Sequence, residues 1–251
     1  MKITNIVFSP TGGTKKAVDA LLQGTGINTS AYVNLFSKHF GKTPVSVDSE
    51  DLVFIGMPSY GGRAPETAMR RLSLINGNGA KCVLVVVYGN REYEDTLVEM
   101  YDGAKKSGFV PIAAVTAVAE HSIDRSMAKG RPDQMDEKTL IQFGEKILHV
   151  YENDSTLKFV PGNRPYKDGP AGSNCPIPNE KCVKCGKCRE FCPVNAIGEY
   201  LKGDQKKCIS CMGCIAVCRL GARSLDHEYI ERIHGYLKSV CSNRKEPELY
   251  I

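Results

Sequence analysis

Eight of the chain's eleven cysteines lie between positions 182 and 218, and they repeat one spacing twice. The first copy reads Cys182-Val183-Lys184-Cys185-Gly186-Lys187-Cys188-Arg189-Glu190-Phe191-Cys192-Pro193. The second reads Cys208-Ile209-Ser210-Cys211-Met212-Gly213-Cys214-Ile215-Ala216-Val217-Cys218-Arg219. A shift of 26 residues superimposes the four cysteines of one copy on those of the other, the mark of a duplicated half-domain. Disulfides are disfavoured, because adjacent Cys-x-x-Cys loops are tight. Met1 to Ser9 also lacks the basic start and long apolar core of a secretory signal. The expected compartment is the reducing cytoplasm, where clustered cysteines point to metal.

Zinc sites use separated Cys-x-x-Cys pairs, without a third cysteine at the same short spacing. Three thiolates two residues apart can instead wrap one face of a cubane iron–sulfur cluster. A fourth, three residues further on and expected to start a helix, points away and ligates the other cluster. This assigns Cys182, Cys185, Cys188 and Cys218 to one 4Fe–4S cluster, and Cys208, Cys211, Cys214 and Cys192 to a second. The stretch resembles the bacterial two-cluster ferredoxins, with all eight ligand positions matched. Arg219 replaces the proline that follows the first copy, Pro193, which is not a ligand. A positive charge there is expected to raise the potential of the cluster fed by Cys218. Cys82 is expected to pack in a strand, and Cys175 and Cys241 to be free thiols.

Net charge is +5, and its location matters more than its size. Residues 1–175 are nearly neutral, whereas residues 176–225 hold nine basic and four acidic side chains. Such a patch can mark a nucleic-acid surface. Two ligated clusters of about −2 each would bring the segment to about +1, so its basic residues mainly offset cluster charge. No nucleic-acid partner is expected. No run of 18 or more apolar residues occurs, so no membrane-spanning helix is expected.

Upstream, strand and helix patterns alternate. Strands are predicted at Ile3–Phe8, Ala31–Leu35, Leu52–Met57, Cys82–Tyr88 and Val110–Val118. Helices are predicted through Ala17 to Leu22, through Ala68 to Ile75, over Glu94–Ser107 and over Lys138–Tyr151. Such alternation predicts an α/β fold, a five-stranded parallel sheet covered by helices on both faces, and suits the doubly wound order 2-1-3-4-5. Residues 1–153 form this domain. Residues 154–177, where Pro161, Pro165, Pro170 and Pro176 alternate with Gly162, Gly169 and Gly172, read as a linker or wrapping strap. Residues 178–226 form a small α+β cysteine-rich domain, and residues 227–251 a helical tail.

The first strand ends in Ser9-Pro10-Thr11-Gly12-Gly13-Thr14, directly before a helix. Hydroxyls and backbone N–H groups can converge there on one phosphate. A Walker loop needs Ser or Thr after Gly-Lys, and a dinucleotide fingerprint needs Gly-x-Gly-x-x-Gly; both patterns are absent. The loop resembles the phosphate loop of flavodoxins, which hold FMN, although Gly13 replaces a residue often polar in that family and the chain has no Trp. The resemblance implies two further loops beside the flavin. One is Pro58-Ser59-Tyr60-Gly61 after strand 3, the other Tyr88-Gly89-Asn90 with Tyr93 after strand 4, and Tyr60, Tyr88 or Tyr93 would stack on the ring. Glu120-His121-Ser122 resembles a stretch in flavodoxin-like proteins fused to two-cluster ferredoxins, which would put His121 near the flavin or the domain contact.

The whole chain thus resembles a flavodoxin/ferredoxin fusion, of the flavoferredoxin-like type. The resemblance implies an electron carrier of anaerobic metabolism that passes electrons between two 4Fe–4S clusters and FMN and on to redox proteins. A small acidic ferredoxin is the expected partner. Alternatives are an FMN-dependent reductase of a quinone or dioxygen, and a redox sensor. A homodimer would bring one chain's clusters near another's flavin.

Overall fold

The computed structural model describes residues 1–251 except 43–44, 171–172 and 242. Gly172, one of the linker glycines, lies outside the described residues. The elements run β1 (Ile3–Val7), α1 (Gly13–Thr25), β2 (Thr29–Asn34), β3 (Leu52–Pro58), α2 (Glu66–Leu72), β4 (Lys81–Tyr88), α3 (Thr96–Lys106), β5 (Val110–Val118) and α4 (Gln134–Glu152). Then follow β6 (Ile177–Pro178), α5 (Lys187–Glu190), α6 (Gly213–Ala216), β7 (Arg223–Ser224), α7 (His227–Val240) and β8 (Glu248–Tyr250).

The main sheet has the order β2-β1-β3-β4-β5-β8. Its first five strands are parallel, in the flavodoxin-like order. Successive residues of β4 go to opposite faces. Val83, Val85 and Val87 pack on the side of α1 and α4, while Cys82, Leu84 and Val86 pack on the side of α2 and α3. This is why β4 reads as an unbroken apolar run: both faces are buried. α1 and α4 cross where two glycines meet. A Cβ on Gly24 would lie 1.9 Å from the Ile141 carbonyl oxygen, and one on Gly144 2.0 Å from that of Leu21. α4 begins with a capping box, in which Asp133 accepts from the Asp136 amide and Asp136 accepts from the Asp133 amide.

The five expected parallel strands are present, joined by a sixth. Two other expectations need correction, and the first is the tail, which is not helical throughout. After α7 the chain returns as β8, which pairs antiparallel with β5, Thr116 opposite Glu248. β8 covers what would otherwise be an open sheet edge. Three residues, Glu248-Leu249-Tyr250, are too few to carry strand periodicity, so the pairing is a tertiary decision. Likewise, Cys192 and Cys218 do not start helices. The one-turn helices α5 and α6 each contain the third cysteine of their copy and end before the fourth.

The segment expected as linker or strap is bound along much of its length. The Asp95 carboxylate accepts from the amides of Asn163 (2.8 Å) and Lys167 (2.7 Å), and Asp102 accepts from Arg164 and the Tyr166 hydroxyl. It runs as a strap over α3.

Candidate functional site

The duplication is visible atom by atom. In both copies a residue with positive φ precedes the one-turn helix, Gly186 (φ 75) and Met212 (φ 58). In both, the amide four residues after the last cysteine donates to its sulfur, Ala196 to Cys192 at 3.2 Å and Ala222 to Cys218 at 3.3 Å. Cys182, Cys185, Cys188 and Cys218 line one cavity, of about 250 Å³. Cys192, Cys208, Cys211 and Cys214 line another, far smaller, of about 20 Å³, together with Cys175. The fourth cysteine of each copy therefore faces the other copy's three. Among the described residues no three His, Cys, Asp or Glu side chains converge as a single-ion site requires; the sulfurs ring cavities instead. Burial pushes the Cys211 and Cys214 thiols above their ordinary range.

Arg223, which sequence reasoning did not single out, sits between the two sets. It is 3% exposed, donates to Cys188 Sγ at 3.6 Å and to the carbonyls of Leu201 (3.0 Å) and Pro176 (2.9 Å), and leaves its buried Nε without a partner. Its charge also draws the Cys214 thiol downward, against the larger effect of burial.

The cavity ringed by Cys192, Cys208, Cys211 and Cys214, hereafter inner, adjoins the crevice at the C-terminal ends of the main sheet. Met212, 1% exposed, lines both the inner cavity and a neighbouring one of about 450 Å³. That neighbour is walled by Thr11, Gly12 and Gly13 of the first loop, by Lys16, and by Glu120, His121 and Ser122. α1 starts there with Gly12 as its cap and no side-chain cap, apart from Ser9 Oγ accepting from the Lys15 amide at 3.0 Å. Thr14 is buried behind it. A Cβ on Gly13 would lie 2.7 Å from the Ala119 Cβ, which explains why glycine stands where a polar residue is often found. His121 and Ser122 are shared with a third cavity, of about 600 Å³, which Ser59, Tyr60 and Gly61 line together with Cys208, Ile209 and Ser210. His121 Nδ1 accepts from the amides of Ile123 (3.3 Å) and Asp124 (3.1 Å), so the neutral ring carries its proton on Nε2. Burial lowers the pKa of His121 and raises that of Tyr60, the latter also through the neighbouring Cys211.

Other loop residues are placed elsewhere. Pro58 ends β3, and Tyr88 packs edge-on against Tyr93, ring centroids 5.4 Å apart. Tyr93 shares a 2.9 Å hydroxyl contact with Tyr250 of β8. Asn90 donates to the Asn243 carbonyl (2.9 Å) and accepts from the Lys245 amide, while Gly89 lies against the His121 ring. Tyr88, Gly89, Asn90 and Tyr93 thus line neither crevice cavity, because the C-terminal tail covers their loop. The sequence pattern gives no warning of a covering segment 150 residues away.

Against this geometry, the 4Fe-4S binding domain family matches residues 176–198, the span of the first cysteine copy. Pyruvate synthase subunit PorD of Methanocaldococcus jannaschii is 40% identical over 81 residues, covering 29% of this chain and 83% of that subunit. The chain belongs to the 4Fe–4S ferredoxin-type family. Similar solved structures include the metal-soaked Flv1 flavodiiron core from Synechocystis sp. PCC6803, at 16% identity and TM-score 0.41. That likeness covers 62% of this chain and 37% of the other. Another is a short-chain flavodoxin associated with a non-canonical PDU bacterial microcompartment (16%, TM-score 0.40), over 60% of this chain and 99% of its own. The strand order makes the N-terminal domain flavodoxin-like, so this is a flavodoxin-like domain fused to a ferredoxin-type domain, an electron-transfer iron–sulfur protein. No helix among the described residues is long and apolar enough to cross a membrane.

The residues fit such a cluster. Four thiols around each cavity are the donor set it takes, and the orphaned Nε of Arg223 is a buried donor suited to an anionic neighbour.

Proposed function

We propose that the chain binds two 4Fe–4S clusters and FMN, and conducts single electrons between a redox partner and the flavin crevice. Such clusters exchange one electron at a time, and FMN exchanges one or two. The observation that best supports this reading is Met212, one buried side chain forming a wall of both the inner cysteine cavity and the phosphate-loop cavity. In this reading Cys182, Cys185, Cys188 and Cys218 hold the outer cluster, and Cys192, Cys208, Cys211 and Cys214 the inner one. Ser9, Thr11, Gly12, Gly13 and Thr14 receive the phosphate at the N-terminus of α1, with Lys16 beside them. Ser59, Tyr60, Gly61 and His121 surround the ring, Tyr60 offering an aromatic face and His121 its Nε2–H. Tyr88, Gly89, Asn90 and Tyr93 support this wall from behind. Because the inner copy already lies over its own chain's crevice, the relay needs no second copy.

The partner would meet the outer copy. Cys185 is exposed there beside Val183 (68% exposed) and Leu220 (52%), and Lys181, Lys184, Lys187 and Arg219 surround them. None of those four cations makes an ion pair among the described residues. An apolar centre with a basic rim suits a small acidic electron carrier.

Anaerobic purification followed by iron, acid-labile sulfide and flavin determination tests the proposal. The expected protein is brown, with about eight irons per chain, from two four-iron clusters, and one FMN. Stepwise reduction by a one-electron donor should bleach the clusters and then the flavin. Zinc in place of iron, or no flavin uptake on reconstitution, would overturn it.

A further inference from the structure

Five cysteines, not four, line the inner cavity. The fifth, Cys175, is contributed by the segment just before β6. Its place is set by the same duplication that sets the other four. Shifted by 26 residues, Cys175 corresponds to Leu201, and Leu201 lines the outer cavity just as Cys175 lines the inner one. At this position, then, each copy lays a side chain against the other copy's three cysteines. The outer site receives an inert leucine and the inner site a thiol.

The surroundings place that thiol in the same cavity as Cys208. Cys175 Sγ donates to the Pro176 carbonyl at 3.9 Å. The Asn174 amide donates to Ser210 Oγ at 2.8 Å, which ties the Cys175 segment to the loop carrying Cys208 and Cys211. Gly203 makes room for the sulfur, since a Cβ there would lie 1.9 Å from Cys175 Sγ.

Resting on the two-cluster reading above, we infer that Cys175 is a reserve ligand of the inner cluster, able to replace Cys208 on the iron that Cys208 holds. In the exchange the Cys175 thiol gives up its proton and forms an Fe–S bond. The Fe–S bond to Cys208 breaks, and the Cys208 thiolate takes up a proton. No electron is gained or lost, so no oxidant is needed. The exchange would let the inner cluster survive loss or oxidation of Cys208 without coming apart. The outer copy, with Leu201 in that place, has no such reserve.

The test compares iron and acid-labile sulfide per chain, and the electron paramagnetic resonance of the reduced protein, in full-length variants prepared without oxygen. Cys208→Ala and Cys208→Ser should keep iron close to wild type, and Cys175 should become protected from alkylation in both. Cys175→Ala/Cys208→Ala should lose the inner cluster and roughly half the iron, as should Cys214→Ala, whose thiol has no stand-in. The transplant is the stricter arm: Cys182→Ala should lose the outer cluster, and Cys182→Ala/Leu201→Cys should regain it. Should Cys208→Ala and Cys208→Ser be as depleted as the double variant while the wild type holds two clusters, the reserve-ligand inference fails alone. A wild type with fewer than two clusters defeats the two-cluster reading and this inference with it.

Discussion

The two cysteine copies share one backbone and differ in what surrounds it. The outer copy carries Lys184, Lys187, Arg189 and Glu190 where the inner copy has Ser210, Gly213, Ile215 and Ala216. The outer positions face water, or pair loosely, as Glu190 does with Lys38 (3.5 Å) and Arg189 (3.7 Å). Of the inner positions, Gly213 is pressed against the flavodoxin-like domain, and Ile215 and Ala216 line the cavity beside its first loop. A Cβ on Gly213 would lie 2.7 Å from the Phe36 ring, and Phe36 in turn packs on Phe191, centroids 5.0 Å apart. Arg71, buried in the N-terminal domain, donates to the carbonyls of Leu35 and Ser37 and, at 2.6 Å, to that of Pro193 beside Cys192. One motif has been divided into a port and a seat. A charged rim keeps the first accessible, and small, apolar residues let the second dock without burying unpaired charge.

The largest effect that would sharpen this contrast comes from the cysteines themselves. Cys185→Ser and Cys211→Ser should each remove roughly half the iron. Only Cys211→Ser should also lower the unfolding midpoint of the N-terminal sheet, because Cys211 packs against that domain's core whereas Cys185 is exposed. Equal losses in a thermal scan would break the comparison.

Next is Arg71→Ala, which strands three carbonyls and removes a charged donor from the domain contact. A cost of about 3 kcal/mol is expected in urea unfolding. Faster hydrogen exchange should follow at both Leu35–Ser37 and Cys192–Val194. Protection lost on one side only would mean that the contact is not shared.

Gly213→Ala should destabilise by about 2 kcal/mol through overpacking against Phe36, whereas Lys187→Ala, its counterpart, should change stability by less than about 0.5 kcal/mol. If the two substitutions behave alike, the inner copy is not seated as described.

The smallest effect concerns docking. Lys184→Glu with Lys187→Glu should slow electron exchange with an acidic one-electron carrier by about tenfold at low ionic strength, and hardly at all at high salt. Stopped-flow traces at two salt concentrations would read this. A loss independent of salt would point to damage at the cluster rather than at the rim.

Much of the molecule was legible in advance because its signals are local. Alternating runs such as Lys81–Tyr88 and Val110–Val118 give the parallel sheet, since a strand buried on both faces must be apolar throughout. The crossed reading of Cys192 and Cys218 came from the repeat, and in the structure Cys218 lines a cavity with Cys182, Cys185 and Cys188, while Cys192 lines one with Cys208, Cys211, Cys214 and Cys175. Comparing the two copies position by position would also have exposed the seat, because charged residues in one are small or apolar in the other. Asn90 and Tyr93 show where such reasoning stops. Each has the composition of a ligand loop, yet each is taken up by the returning tail.

By itself, then, the sequence determined the parallel sheet, the duplicated cysteine spacing and the Ser/Thr/Gly turn before α1, each written in neighbouring residues or a fixed repeat. Only the tertiary structure decided that β8 closes the sheet edge, that Arg223 lies between the thiol sets, and that Met212 joins the inner cavity to the crevice. Those outcomes depend on side chains far apart in the chain competing for the same buried surface, and no local periodicity records which of them wins.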